Sequence, residues 1–193
     1  MLNDQVIFPP ENYDEILRRS HETNFSMLSD LQTGSFLRTL CASKPDGNFL
    51  ELGTGTGLSL CWIAEGASQD ATIISIDNDE NFQSIAKEIY KDDPRIEFLC
   101  LDANEWLQKY DQSKFDIIFA DAWPGKYDYL DEALALLNIG GFYLIDDLLP
   151  QPNWPEHHQL NVDRLFERLT NRTDLVYTTF NWSTGLMLFT KIR

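Results

Sequence analysis

From Phe49 onward, short apolar runs take turns with longer segments of mixed polarity. Phe49–Leu52, Thr72–Ile76, Ile96–Leu101, Phe115–Ala120 and Phe142–Ile145 are short and mostly β-branched or aromatic, so each predicts a strand. The segments between them carry helical spacing. Leu58, Leu60, Trp62, Ile63 and Ala64 predict a helix after the first run. Phe82, Ile85, Ala86 and Ile89 fall at i, i+3, i+4, i+7 and predict one over Glu80–Lys91. Leu130, Ala133, Leu134 and Leu137 predict another over Tyr127–Leu137, broken by Gly140-Gly141, and Val162, Leu165, Phe166 and Leu169 a further one over Glu156–Thr170. Strand alternating with helix is the pattern of a parallel sheet covered on both faces. Two last strands, Leu175–Asn181 and Leu186–Ile192, are separated by Trp182-Ser183-Thr184-Gly185, which suits an antiparallel hairpin. Ahead of the sheet, Glu11–Glu22 reads as a surface helix. Ser29-x-x-Gln32 reads as a capping box before the apolar face Phe36, Leu37, Leu40 and Cys41, and Lys44-Pro45-Asp46-Gly47 as a turn. With no repeat or linker, the chain reads as one domain over residues 1–193: N-terminal helices over 1–46 that cover the site, and an α/β core over 47–193.

At 193 residues such a domain buries a sizeable core. No apolar run is long enough to span a bilayer, and Met1-Leu2-Asn3-Asp4-Gln5 lacks the basic and apolar regions of a secretory signal. Cys41, Cys61 and Cys100 are odd in number and widely spaced, as expected of reduced, mostly buried thiols in a cytoplasmic protein. The net charge of −16 argues against nucleic acid or an anionic membrane as partner. It leaves two readings of the acids: a solvated surface, or carboxylates lining a site for a cation.

The chemistry gathers where predicted strands end. Glu51-Leu-Gly53-Thr-Gly55-Thr-Gly57-Leu-Ser59 joins a strand to a helix through a glycine turn, the arrangement that receives a nucleoside-bearing cofactor at the carboxyl edge of a parallel sheet. The glycines run G-x-G-x-G, not the G-x-G-x-x-G of dinucleotide sites. Asp77 closes the second strand, where an acid can accept both ribose hydroxyls; the alternative is a helix N-cap. Asp102-Ala103 closes the third, Asp121 the fourth and Asp146-Asp147 the fifth. Trp123, Tyr127, Trp154, His157 and His158 fall in the loops after strands four and five, where a pocket mouth belongs.

Glu51-x-Gly53-x-Gly55-x-Gly57 resembles the first motif of class I S-adenosylmethionine (SAM) dependent methyltransferases. Phe115-Asp-Ile-Ile-Phe-Ala-Asp121-Ala-Trp123-Pro-Gly-Lys126-Tyr127 and Gly140-Gly141 before Ile145-Asp146-Asp147 resemble the small metal-dependent catechol and caffeoyl-coenzyme A O-methyltransferases. So do Leu31-Gln-Thr-Gly34 and Ser59, and the likeness spans roughly residues 28 to 192. The resemblance implies a Rossmann-like fold with a mostly parallel seven-stranded sheet, order 3-2-1-4-5-7-6, and transfer of a SAM methyl group to a small hydroxylated acceptor. It implies that Glu51, Gly53, Gly55, Gly57, Ser59, Asp77, Asp102, Ala103 and Asp121 hold the cofactor, with Asp102 at the adenine amino group. Asp121, Asp146 and Asp147 would supply oxygen ligands to Mg²⁺ or another divalent cation, which would acidify a bound hydroxyl. Two positions depart from the family: Asp147 stands where an Asn is usual, and Pro124 where a lysine base is usual, leaving Lys126 two residues on as the candidate base beside Asp121. The readings left open are a metal-independent methyltransferase, an aminopropyltransferase-like enzyme acting on an amine, a non-catalytic SAM- or nucleotide-binding module, and an NAD-linked oxidoreductase. Folds of this kind often pair as homodimers through the N-terminal helices, though nothing in Glu11–Glu22 compels it.

Overall fold

The computed structural model describes residues 7–151 and 154–193; the N-terminal pentapeptide and the first part of the lead-in before Pro9-Pro10 lie outside the described residues. Seven strands form one sheet in the order β3-β2-β1-β4-β5-β7-β6. They are β1 Asn48–Leu52, β2 Thr72–Asp77, β3 Ile96–Cys100, β4 Phe115–Ala120, β5 Leu137–Ile145, β6 Leu175–Phe180 and β7 Leu186–Lys191. The first five run parallel, while β7 pairs antiparallel with both β5 and β6. The order is the one the resemblance implied.

Successive strand residues point to opposite faces, and both faces are covered, which is why the central strands are apolar almost throughout. Phe49, Ile73, Ile117, Phe119 and Leu144 pack with α2 (Leu31–Ala42) and α3 (Leu58–Gly66). Leu50, Leu52, Ile118, Tyr143 and Ile145 pack on the other face with α5 (Ala103–Lys109), α6 (Leu130–Ala135) and α7 (His158–Thr170). α4 (Glu80–Ile89) joins the first face through Ala86. Outside that layer, α1 (Tyr13–Glu22) lays Tyr13 and Ile16 on Trp62 of α3.

Several local expectations are corrected. α6 is a short helix, and Leu137 belongs to β5. Gly140-Gly141 lies inside that strand, at an irregularity in its pairing with β4. Between the Phe115–Leu137 and Ile117–Phe142 pairs β4 advances two residues and β5 five, so the extra residues of β5, Gly140-Gly141 among them, are taken up within the strand. α2 is capped by Asp30, whose carboxylate accepts from Gln32 and Thr33 N–H; the capping box read at Ser29 is therefore displaced by one residue. α7 begins at His158, and Phe166 on it is 46% exposed, not part of its buried face. Cys41 and Cys61 are buried, but Cys100 is exposed; all three are free thiols. No helix among the described residues is long and apolar enough to cross a membrane.

Candidate active site

The carboxyl ends of β1 to β5 open into one cavity of about 710 Å³. Its walls carry Gly53, Gly55, Ser59, Asp77, Asp102, Ala103, Asp121, Lys126, Asp146 and Asp147. Chain segments that are far apart in sequence meet here because strand order reverses at β1 and β4, leaving a crevice between their outgoing loops.

The glycine loop forms one end. Gly53 and Thr54 donate backbone N–H groups to Ile76 O, which fixes the loop against β2. Gly53 has φ +104°, and a Cβ there would lie 2.8 Å from Asp121 O, so only glycine lets the β1 and β4 exits come this close. Gly55 N–H donates to Asp77 Oδ2 at 2.7 Å, and Asp79 N–H to Asp77 Oδ1 at 2.9 Å. The N-cap of α4 is Asp79, so Asp77 is left to shape the loop and face the cavity. Asp102 does cap α5, accepting from Asn104 N–H, and stays exposed at the cavity rim beside buried Ala103.

Two expected cofactor residues stand behind the loop and not on the wall. Glu51 is fully buried and receives Ser59 Oγ–H at 2.6 Å and Ser75 Oγ–H at 2.5 Å. Burial pushes its carboxyl up to about 7, against the pull of those two hydroxyls. Gly57, with φ +96°, fits against Ala86. Both shape the loop from behind. The support continues sideways: Ser75 meets Thr54, and Gln83 Nε2 reaches Thr54 Oγ1, Ser75 O and Leu99 O. From the outside, Ser20 of α1 bonds Thr56 at 2.7 Å, so the covering helix is tied to the loop.

The other end holds the acids and the aromatics. Asp146 is buried; Thr184 Oγ1–H and the N–H of Asp147 both donate to its Oδ1. Asp121 is held well above the ordinary carboxyl range by burial and then by Asp146, with Lys126 opposing. Asp146 is raised too, again by burial first, against Thr184. Among the described residues no group of three His, Cys, Asp or Glu side chains stands placed to hold a metal. Asp147 has a left-handed backbone (φ 59°) with its N–H turned onto Asp146 Oδ1, and the charges of Asp146 and Asp147 both act on Asp121.

Lys126 also reaches the site. Gly125 (φ +78°) is packed on Leu52 and Tyr143, and Lys126 and Tyr127 N–H groups both bond back to Trp123 O. This tight turn folds Lys126 inward, leaving it 4% exposed on the cavity wall. Sequence reasoning missed Phe25 and Thr184. Phe25 packs over Gly55, and Thr184 reaches Asp146 from the β6–β7 turn; the polar turn Trp182–Gly185 was the one trace of the latter.

Comparison with known proteins agrees with this fold. A family model described as O-methyltransferase matches residues 11–173. An Arabidopsis thaliana protein provisionally named a caffeoyl-CoA O-methyltransferase is 29% identical over 143 residues, 69% of this chain and 62% of that protein. The chain thus spans less than two thirds of the curated relatives it matches first. The O-methyltransferase TomG from Streptomyces achromogenes, solved in complex with SAM, superposes with TM-score 0.82 at 22% identity, over 98% of this chain and 93% of that one. An O-methyltransferase from Bacillus cereus, solved with SAH, gives TM-score 0.81 at 22% identity, over 97% and 94%.

Proposed function

The chain belongs to the O-methyltransferase family, and from that premise we propose that it transfers the methyl group of SAM to the hydroxyl of a small, aromatic acceptor. One observation carries the reading: a single cavity joins the Gly53–Gly55 loop, Asp77 and Ala103 at one end to Asp121, Lys126 and an aromatic wall at the other. A nucleoside cofactor and a planar acceptor would therefore meet in one enclosed space.

SAM, when bound, supplies an electrophilic methyl group on a sulfonium. The chain's residues do the rest by placement and charge. Asp77 would take the ribose hydroxyls and Asp102–Ala103 the adenine edge. Asp121, at the junction of the two ends, favours a cation over the neutral thioether product. Lys126, which acts on both Asp121 and Asp146, would face the acceptor oxygen and hold the negative charge that develops as its proton leaves. Trp123 and Trp154 would bracket the acceptor ring.

The donor chemistry of Asp121 and Asp146 suits a divalent cation in kind. Both are hard oxygen ligands short of positive charge, and Mg²⁺ needs only one or two carboxylates besides water and substrate oxygens. These two would hold it, with Asp147 alongside, and the cation when bound would polarise the acceptor hydroxyl. A metal-free reaction is the second reading, favoured by Lys126, which is buried on the cavity wall and acts on both Asp121 and Asp146.

The test is calorimetric binding of S-adenosylhomocysteine to wild type and Asp77→Ala, followed by methyl transfer to a panel of catechols and phenols with Mg²⁺ or with a chelator. Micromolar affinity, about −8 kcal/mol, weakened by Asp77→Ala, supports the cofactor assignment. Turnover lost with chelator supports the metal reading, and turnover unaffected by it the metal-free one. Absence of binding defeats the proposal.

A further inference from the structure

His157 and His158 are neighbours in sequence but not in environment. His157 has a left-handed backbone (φ 68°) that turns the chain into α7. It leaves His157 exposed and His158 buried on the cavity wall. The His158 ring sits among three aromatic rings, with centroids 4.4 Å from Trp154, 5.3 Å from Tyr127 and 5.5 Å from Trp123. Its Nε2 lies 3.1 Å from the Tyr127 hydroxyl. Its Nδ1 is buried and has no hydrogen-bond partner among the described residues.

The surroundings bear on where its proton sits. A neutral imidazole carries one N–H and one lone pair. Among aromatic rings, an N–H at Nδ1 can rest on a π face, whereas a lone pair would be repelled by it. A hydrogen on Nδ1 would leave the Nε2 lone pair to accept from the Tyr127 hydroxyl, 3.1 Å away. Tyr127 itself is half-buried on the cavity wall next to Lys126, whose Nζ lies 5.8 Å from its ring centroid.

We propose that Tyr127 and His158 are a proton relay for the acceptor hydroxyl, with Tyr127 as the catalytic contact and His158 as the terminus. The inference rests on the reading of this cavity as a hydroxyl methyltransferase site. As the acceptor oxygen uses an electron pair to bond the methyl carbon, the carbon–sulfur pair stays on sulfur and gives the neutral thioether. The acceptor proton passes to Tyr127 Oη while the Tyr127 proton passes to His158 Nε2, so the positive charge of the sulfonium ends as an imidazolium. The groups facing that ring are Lys126 and Tyr127 from the loop after β4 and Asp147 from the loop after β5; Glu156 and His157 adjoin it on its own segment. Burial and then Lys126 push His158 below the ordinary histidine range, while Asp147 opposes them. The proton is therefore readily released to water when the product leaves.

The chain has three histidines, His21, His157 and His158, so ¹⁵N NMR of histidine-labelled protein can read each tautomer without turnover. The expected result is one imidazole with hydrogen on Nδ1, titrating below the ordinary histidine range and shifted by Tyr127→Phe. An Nε2–H tautomer at His158, or a His158 signal unmoved by Tyr127→Phe, overturns the relay. Kinetics supply the second arm with Tyr127→Phe, His158→Gln and the double variant. His158→Gln keeps an acceptor for Tyr127 but cannot take a proton. Each single variant should lower kcat by about 100-fold or more with KM within about threefold, and the double variant should be no worse than the worse single. Raised KM at unchanged kcat, or losses that multiply, overturns the relay and makes the pair a wall. Retained binding of S-adenosylhomocysteine certifies that each variant is folded. Wild type that transfers no methyl group to any hydroxyl defeats the function itself, whereas active wild type with an unimpaired His158→Gln defeats the relay alone.

Discussion

Glu51 is a carboxyl group kept in the core by two serine hydroxyls, and it makes stability depend on pH. Its folded value, about 7, lies above the ordinary 4.5, so the folded chain holds this proton more tightly than the unfolded chain. The stabilisation is fully present below pH 4.5 and is lost as pH rises through 7. The loss amounts to roughly 3 kcal/mol. Glu51→Gln, which mimics the protonated form, should flatten that slope, and thermal unfolding at pH 5 and pH 8 compares the two proteins directly. An equal slope in both would remove Glu51 from the account. Gly53 is the second residue on which the site turns. Gly53→Ala places a Cβ 2.8 Å from Asp121 O at φ +104°, a strain of about 1–3 kcal/mol. S-adenosylhomocysteine affinity should fall about tenfold or more, read by calorimetry. Both residues were visible in the sequence as an acid and a glycine beside a strand. That Glu51 props the loop from behind was not, because its partner Ser75 comes from β2 and is brought alongside only by the sheet register.

At the scale of elements, strands and their order were legible because buried parallel strands must be apolar throughout. Their ends were less so. The helix–strand boundary near Leu137 turned on whether two glycines stop a helix or sit inside a strand, and period alone cannot decide this. The structure separates the two glycines. A Cβ on Gly141 would lie 2.8 Å from Asn138 O and 3.1 Å from Asp116 O, while one on Gly140 meets nothing within 4 Å. Gly140→Ala should thus cost only the strain of its φ of 79°, about 1–2 kcal/mol, and Gly141→Ala more, because backbone cannot move aside. Denaturant midpoints of the two variants would show the order, and the reverse order would contradict the pairing at this irregularity. The turn after β4 teaches the same lesson for chemistry. Counting residues from Asp121 put Pro124 where the family lysine is usual and left Lys126 as a candidate two residues on; the compact Trp123–Tyr127 turn brings Lys126 to the cavity wall.

At the scale of the molecule, a charge of −16 sets acid against acid across the surface and within the cavity, where Lys126 is buried among them. Self-repulsion of this size destabilises the compact state, and salt screens it over about 10 Å at 0.1 M. The melting temperature should therefore rise between 10 and about 150 mM sodium chloride; a fall would mean that the exposed ion pairs, such as Arg18 with Glu15 and Arg168 with Asp131, outweigh repulsion.

The sequence by itself determined the layered α/β architecture, the glycine loop and the acids at the strand ends, because each follows from local rules: side-chain period, backbone freedom and the chemistry of single residues. Only the tertiary structure decided which of those acids meet, that His158 turns inward while His157 turns out, and that Thr184 from a distant hairpin orients Asp146. These depend on where separate strands place their ends and on single left-handed residues that redirect the chain. Such effects act between segments far apart in sequence, and no local pattern records them.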